Sequence, residues 1–263
     1  MGKSINKTLS EIKILEFIAF CFIVFLILIL SFTICNYDID SNIFEILLYG
    51  IILIYFLYKI RNSGDVKYQL KYVFEFSNIK EVTFLIVTNI LLAFAILFLA
   101  SVVGINIPFD NASNNFINLC NVSGDIFLVV ILAPLVEEFV FRGVFLRWLN
   151  SKFNVYIAIL VTSLIFGLLH DFGGIISAII FGVCMSILYI KTNDIFVPIS
   201  VHIGNNFISE FLTYFKVENF IFSNDIFLLI LCVVVLISII SLFYYLFSNL
   251  RNITHYLKTF ELE

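Results

Sequence analysis

Charged groups interrupt an otherwise apolar stretch of the chain at residues 134–142, which read PLVEEFVFR. An ionisable group at the centre of a bilayer-spanning helix costs about 2.5–3.5 kcal/mol on insertion scales, so such groups persist mainly where they face a protein interior or a wet cavity. On a helix, Glu138 and Arg142 are four residues apart and share a face, where they neutralise each other. Glu137 lies about 100° away around the axis. Its partner must come from another helix, from water or from a metal ion, and it is the first candidate for chemistry.

Two histidines and an asparagine in later apolar runs are candidates to act with Glu137. His170 ends one run, with Phe166 one turn before it, and His202 and Asn206 lie four residues apart on one face of another run. A carboxylate in a desolvated pocket is suited to act as a general base for water. Histidine and asparagine donors suit the charge that develops on a tetrahedral intermediate. These residue types are compatible with hydrolytic chemistry.

Each of these residues also has a purely structural interpretation. A Glu–Arg pair at this spacing often only holds a segment together, and polar side chains in membrane helices often join neighbouring helices. We assign Asn89, Asn205 and Glu210 to structural roles of this kind. Chemistry is favoured for the others because an unpaired glutamate, two histidines and an asparagine occur together on three nearby runs of one small protein.

The composition requires a membrane protein. Of the 263 residues, 62% are hydrophobic and 13% are charged, and the mean hydropathy is +1.09. Soluble domains average about 45–50% apolar and about 25% charged residues. The net charge of −4 and the isoelectric point near 5.4 give no sign of nucleic-acid binding. The lipid bilayer is therefore the expected environment of the whole chain.

The apolar runs predict an all-α, polytopic helical bundle with about eight transmembrane helices. We count runs long enough to approach about 30 Å at about 1.5 Å per residue. The predicted helices are Phe17–Ile34, Ile43–Tyr58, Val82–Ile105, Ile126–Trp148, Val155–His170, Ile175–Ile190, Ile195–Leu212 and Ile226–Phe247.

The distribution of basic residues predicts the orientation. Lys and Arg precede the first predicted helix and follow the second, fourth, sixth and eighth, whereas the opposite loops, Cys35–Asn42 and Asn106–Asp125, contain neither. Because cytoplasmic loops carry the excess of positive charge, both termini are predicted to be cytoplasmic. We expect a single integral membrane domain over residues 1–263 with cytoplasmic tails at 1–16 and 248–263.

Two prolines lie close to the candidate residues. Pro134 precedes Glu137 by three positions and Pro198 precedes His202 by four. Inside a helix, proline removes a backbone donor and favours a kink, which would open a wet pocket. Pro198 has a second interpretation as an ordinary first-turn proline.

Taken together, the motifs Glu137-Glu138-x-x-x-Arg142, Phe166-x-x-x-His170 and His202-x-x-x-Asn206 resemble those of the CAAX protease and bacteriocin-processing family of intramembrane proteases. The three motifs occur in the order that the family shows. The resemblance covers roughly residues 125–210, and a family-like catalytic core is expected at about 125–212. It implies an intramembrane endopeptidase, with eight helices like those counted here.

The resemblance also implies roles for individual residues. Glu137 would be the general base for water, and His170 would help to bind that water. His202 and Asn206 would stabilise the oxyanion. Glu138, Arg142 and Phe166 would support the site.

A metal ion is an alternative to purely glutamate-based chemistry. Glu137, His170 and His202 have the composition of catalytic zinc sites with an open water position. The chain has no HExxH motif, and the prenyl-protein endopeptidase branch of the family is described as working without a firmly bound metal. We expect metal-independent chemistry, with a divalent metal such as zinc on these three residues as the alternative.

The substrate class is left open at this point. Members of the family act on the ends of prenylated proteins, mature or destroy small peptides, confer bacteriocin self-immunity, or serve as non-catalytic scaffolds. The expected partner is a membrane-anchored peptide or small protein, prenylated or not. The 32 positions between His170 and His202 (202 − 170) resemble the spacing of prokaryotic members, which predicts a prokaryotic plasma membrane.

Two other functions are compatible with these residues. A non-proteolytic scaffold or immunity protein of the same fold would keep the motifs but tolerate their loss. A proton-coupled transporter would also place Glu, Arg and His at bilayer depth on proline-broken helices. The chain shows no internal repeat relating its two halves, which argues against a transporter.

Overall fold

The structure, a computed structural model, describes residues 4–34, 41–103, 126–170 and 174–261. This part of the chain is helical and contains no strand. With residues 126–152 counted as one helix, it forms eleven helices: α1 Ile5–Ser10, α2 Ile14–Ile34, α3 Ser41–Ile60, α4 Val66–Val73, α5 Phe76–Val102, α6 126–152, α7 Val155–Leu168, α8 Ile175–Thr192, α9 Phe196–Tyr214, α10 Val217–Phe222 and α11 Asp225–Glu261. The prediction of an all-α membrane protein is confirmed.

Each of the eight predicted helices corresponds to a long helix of the structure. In the described part, five of them (α2, α3, α5, α8 and α11) are long and apolar enough to cross a membrane. The other three are α6, α7 and α9. The candidate catalytic residues lie on α6 and α9, except for His170, which lies just after the end of α7. For these three, a complete crossing stays a prediction, as does the orientation of the termini.

Helix α8 is the central element of the bundle. In its most apolar window, 56% of residues are buried inside the protein, compared with 11–22% in the other four apolar helices. The low values elsewhere are expected of helices whose outer faces contact lipid. The bundle therefore places α8 where its neighbours can converge on it.

Helices α7 and α8 pack closely because small residues face each other. A Cβ atom on Gly182 would lie 3.1 Å from the Cα atom of Ser163, and one on Gly167 would lie 3.0 Å from the carbonyl oxygen of Ile175. Small residues permit this approach of two backbones in a membrane. The close contact holds the end of α7, and His170 after it, beside the start of α8.

The predicted irregularity of the fourth helix takes a specific form. Its α-helical segment Ala133–Glu138 lies between two π-helical segments, Leu128–Leu132 and Phe139–Leu146. Pro134 has no N–H and cannot complete a regular hydrogen-bond pattern, and π-turns occur frequently at functional sites. Both glutamates lie in the α-helical segment between the two wider ones.

Pro198 does not kink its helix. Helix α9 begins at Phe196, so Pro198 lies in its first turn, where a missing N–H has no intrahelical partner to lose. The interpretation as a first-turn proline is therefore the correct one.

The segments predicted as tails carry regular structure where they are described. Helix α1 is packed rather than free, since Ile5 and Leu9 are both 0% exposed. The backbone N–H of Ile5 donates to the carboxylate of Asp65, which precedes α4. At the other end of the chain, residues 248–261 continue α11.

Polar side chains join α1, α6 and α8 at the end of the bundle predicted to be cytoplasmic. The hydroxyl of Tyr189 donates to Asn6 over 2.8 Å and accepts from Nε of Arg147 over 2.7 Å. Asn6 and Arg147 both donate to Asn193, whose backbone is in the left-handed region at φ 48°. This cluster satisfies the polar groups that close helix packing buries.

Asp194, beside this cluster, is expected to make stability depend on pH. Burial raises the pKa of its carboxyl from the ordinary 3.8 to about 7, the N–H of Phe196 opposes this shift, and Asp65 adds to it. A carboxyl with a raised folded-state pKa binds more protons in the folded protein. The free energy of unfolding therefore falls as pH rises from about 4 to about 7.

The substitution Asp194→Asn removes this charge and keeps an oxygen for the N–H of Phe196. We expect its melting temperature in detergent to exceed that of wild type by roughly 2–4 °C at pH 8, with a smaller gain at pH 4.5. Asp225→Asn, at an exposed position on α11, is the control and should show no such pH-dependent gain. An equal gain for Asp194→Asn at both pH values would contradict the prediction.

Candidate active site

Glu138 and Arg142 form a buried ion pair on α6. The Oε1 atom of Glu138 lies 3.0 Å from Nη1 of Arg142, and their side chains are 0% and 1% exposed. The other terminal nitrogen of Arg142 donates to the carbonyl oxygen of Gly182 on α8, at 3.3 Å. The four-residue spacing therefore produces the contact that it indicated, and the pair also ties α6 to the central helix.

His202 is the third member of this buried group. Its Nδ1 atom lies 2.8 Å from the same Oε1 atom of Glu138. A carboxylate only accepts hydrogen bonds, so Nδ1 carries the proton and the Nε2 atom is left for the cavity side. Glu138 thus orients the ring of His202, as the aspartate of a Ser-His-Asp triad orients its histidine.

Glu137 points away from Arg142 toward two residues on other helices. Its Oε1 atom accepts from the hydroxyl of Tyr49 on α3 at 3.4 Å, and its Oε2 atom lies 3.8 Å from Nε2 of His202. A separation of 3.8 Å is too long for a direct hydrogen bond. It is short enough for a single water or substrate oxygen to contact both groups.

His170 follows the end of α7 and lies against Phe166. Its Nδ1 atom lies 2.8 Å from the carbonyl oxygen of Phe166, so Nδ1 is the donor and Nε2 is available as an acceptor. The ring of Phe166 also contacts the other members of the site. The guanidinium of Arg142 lies 4.7 Å from its centre, and the ring of His202 packs edge-on at 5.8 Å.

All four predicted catalytic residues line one cavity of about 310 Å³. It lies between α3, α6, α7 and α9, and its lining combines carboxylates, imidazoles and an amide. The lining residues are Glu45, Tyr49, Leu128, Val129, Ala133, Glu137, His170, His202, Asn206, Ser209 and Glu210. Glu210, assigned above to a structural role, thus also faces this cavity.

Sequence reasoning missed Glu45 and Tyr49. Both lie on α3, one turn apart, and both face the cavity. The available signal was a charged residue inside an apolar run with a tyrosine four positions later, the same spacing that drew attention to Glu138 and Arg142. The short sequence between Leu169 and Gly174 lies mostly outside the described residues.

The described residues do not form a metal centre. No group of three His, Cys, Asp or Glu side chains within the described part converges as metal ligands. Glu137 and His202 are a close pair, with 3.8 Å between Oε2 and Nε2. Because a third ligand does not converge with them in the described part, the alternative set of Glu137, His170 and His202 is not assembled in this geometry, and no step below is assigned to a metal.

Comparison with known proteins agrees with this geometry. Residues 121–208, which contain all three motifs, match the family described as type II CAAX prenyl endopeptidase Rce1-like. Over these residues the chain is similar to CAAX proteases. Two curated relatives come from bacteria, and both similarities cover part of each chain.

The first relative is a putative membrane peptidase, YdiL, of Bacillus subtilis (strain 168). It is 32% identical over 92 residues, which cover 35% of this chain and 38% of YdiL. The second is the membrane-embedded CAAX protease MroQ of Staphylococcus aureus (strain USA300), 39% identical over 101 residues, which cover 36% of this chain and 40% of MroQ. The chain thus spans about two fifths of the length of the curated relatives that it matches. No solved structure matches it at a significant level.

Proposed function

We propose that this chain is an intramembrane endopeptidase that cleaves a membrane-associated peptide or small protein near one of its ends. The observation that carries the proposal is the convergence of Glu137, His170, His202 and Asn206 on one cavity, with the buried Glu138–Arg142 pair directly behind them. The match of residues 121–208 to the type II CAAX prenyl endopeptidase family supports it. The bacterial relatives further support a location in a bacterial plasma membrane.

In the proposed reaction, Glu137 removes a proton from a water molecule as the water oxygen attacks the carbonyl carbon of the scissile peptide bond. The electrons of the carbonyl double bond move to its oxygen, which becomes the oxyanion. When the tetrahedral intermediate collapses, the bond to the peptide nitrogen breaks. The proton held by Glu137 passes to that nitrogen, which leaves as an amine.

The other residues stabilise this sequence of steps. His202, held by Glu138, donates to the oxyanion from Nε2 in its protonated form, while Glu138 offsets the charge of the imidazolium. Asn206 donates a second hydrogen bond to the oxyanion from its side-chain amide. His170 accepts a hydrogen bond from the attacking water through Nε2, its other ring nitrogen being occupied by the carbonyl of Phe166.

The test is cleavage of a pool of prenylated and unprenylated membrane-anchored peptides by protein purified in detergent, read by mass spectrometry. We expect wild type to cleave some of them and His202→Ala to cleave them at least about 100-fold more slowly, the effect of losing an oxyanion donor. A chelator should leave the rate unchanged. Failure of well-folded wild type to cleave any peptide would favour a scaffold or immunity role.

A further inference from the structure

Three asparagine side chains form a chain of hydrogen bonds from α5 to the cavity. Nδ2 of Asn89 donates to Oδ1 of Asn205 at 2.8 Å. Nδ2 of Asn205 donates to Oδ1 of Asn206 at 3.4 Å. Nδ2 of Asn206 donates to the carbonyl oxygen of Val129 on α6 at 2.9 Å. Every amide thus donates in the same direction along the chain.

The last acceptor fixes this direction. The Leu128–Leu132 segment is π-helical, and the N–H of Ala133 donates to Leu128 five residues earlier. In the same register, the carbonyl of Val129 would accept from residue 134, which is Pro134 and has no N–H. A backbone carbonyl at this depth requires a donor, and Asn206 supplies it.

The orientation of each amide follows from the one before it. Because Nδ2 of Asn206 must face Val129, its Oδ1 atom faces Asn205, which must present a donor. Asn205 then presents its own Oδ1 atom to Asn89, which must donate in turn. A reversal at any member would place two donors or two acceptors against each other.

The asparagine chain lies beside the catalytic candidates. Asn89 and Asn205 line a second cavity of about 130 Å³ that shares His170, His202 and Asn206 with the larger one. Helices α5 and α9 approach closely here, since a Cβ atom on Gly204 would lie 2.6 Å from Cδ1 of Ile86. The amides are therefore held at short range by the packing of their helices.

We infer that Asn89 and Asn205 are positioning residues, which orient the side chain of Asn206 so that one of its amide N–H groups faces the reacting carbonyl group. This inference rests on the proposed function. One N–H of Asn206 satisfies the carbonyl of Val129, and the second is directed by the same fixed orientation to the oxyanion. If the asparagines only joined α5 to α9, the bond between Asn89 and Asn205 would be enough. Asn206 and its acceptor, the carbonyl of Val129 on α6, would not be needed.

The test compares Asn89→Leu, Asn205→Leu and the double variant with wild type, using the pool peptide that wild type cleaves best. We expect each single variant to lower kcat about 5- to 10-fold with KM unchanged, as the loss of one hydrogen bond implies. The double variant should be no slower than Asn205→Leu, because both changes interrupt the same chain. Thr88→Val is the matched control on α5, since the hydroxyl of Thr88 bonds only carbonyls of its own helix.

The outcomes separate the inference from the proposed function. If wild type cleaves and Asn89→Leu has wild-type kcat, with only its melting temperature lowered, the asparagines are structural and the inference is overturned. Additive losses in the double variant would overturn it as well. If well-folded wild type cleaves no peptide of the pool, the proposed function fails and the inference fails with it.

Discussion

Glu137→Gln is expected to reduce peptide cleavage by about 10²- to 10⁴-fold, the contribution of a general base, while the protein folds normally. An amide cannot take the proton of the attacking water. The amide keeps an oxygen that can accept the hydrogen bond from the hydroxyl of Tyr49, as Glu137 does. Glu137 is also 20% exposed, and the direct ion pair of Arg142 is with Glu138, so loss of the charge on Glu137 leaves that pair in place.

The measurement is the single-turnover rate on the best pool peptide, with the melting temperature of each variant in the same detergent. Glu45→Gln is the matched control, because Glu45 lines the same cavity without a role in the proposed chemistry. It should retain most of the activity. Wild-type cleavage by a well-folded Glu137→Gln protein would remove the general base from the mechanism and favour another residue or a different function.

Arg142→Ala, unlike Glu137→Gln, is expected to lower the amount of folded protein. It leaves the ionised Glu138 buried with no cation in contact, and breaking a buried ion pair in this way costs about 3–5 kcal/mol. It also removes the hydrogen bond to the carbonyl of Gly182 on α8. The yield of monodisperse protein and its melting temperature are the measurements.

A double variant separates the charge from the packing. In Glu138→Gln combined with Arg142→Met, neither position carries a charge, and the new amide side chain still offers an oxygen to His202. We expect the folded yield to recover toward the wild-type level while cleavage stays impaired, because the neutral amide no longer offsets the charge of His202. Normal yield, stability and activity in Arg142→Ala would contradict the structural assignment of the pair.

Much of this protein followed from the sequence alone, for a physical reason. In a bilayer, backbone groups must be satisfied within each segment, so apolar runs become helices and their number and order can be counted. Contacts within one helix follow from spacing, which is why the pairing of Glu138 with Arg142 was predictable. The three motifs, in order, also indicated the family whose description residues 121–208 match.

Contacts between helices were decided only by the tertiary structure. Glu138 binds His202 as well as Arg142, and Tyr49 on α3 contacts Glu137. Such pairs depend on the rotation, depth and tilt of each helix. A small change in any of these brings a different side chain into contact with the neighbouring helix. Spacing along the chain contains no information about them.

The local backbone geometry was also predicted only in part. The two prolines predicted a kink near Pro134 and another near Pro198, and, of these two places, the structure is irregular only near Pro134. Beside Pro134, the helix has π-turns, and the carbonyl of Val129 accepts a hydrogen bond from Asn206 on α9. Pro198 lies in the first turn of α9, where no intrahelical hydrogen bond is lost. The sequence by itself determined that Pro134 would leave a backbone carbonyl without its donor. Only the fold decided that this carbonyl is that of Val129 and that Asn206 supplies the hydrogen bond, because the helix register and a neighbour 77 positions away are set by tertiary packing.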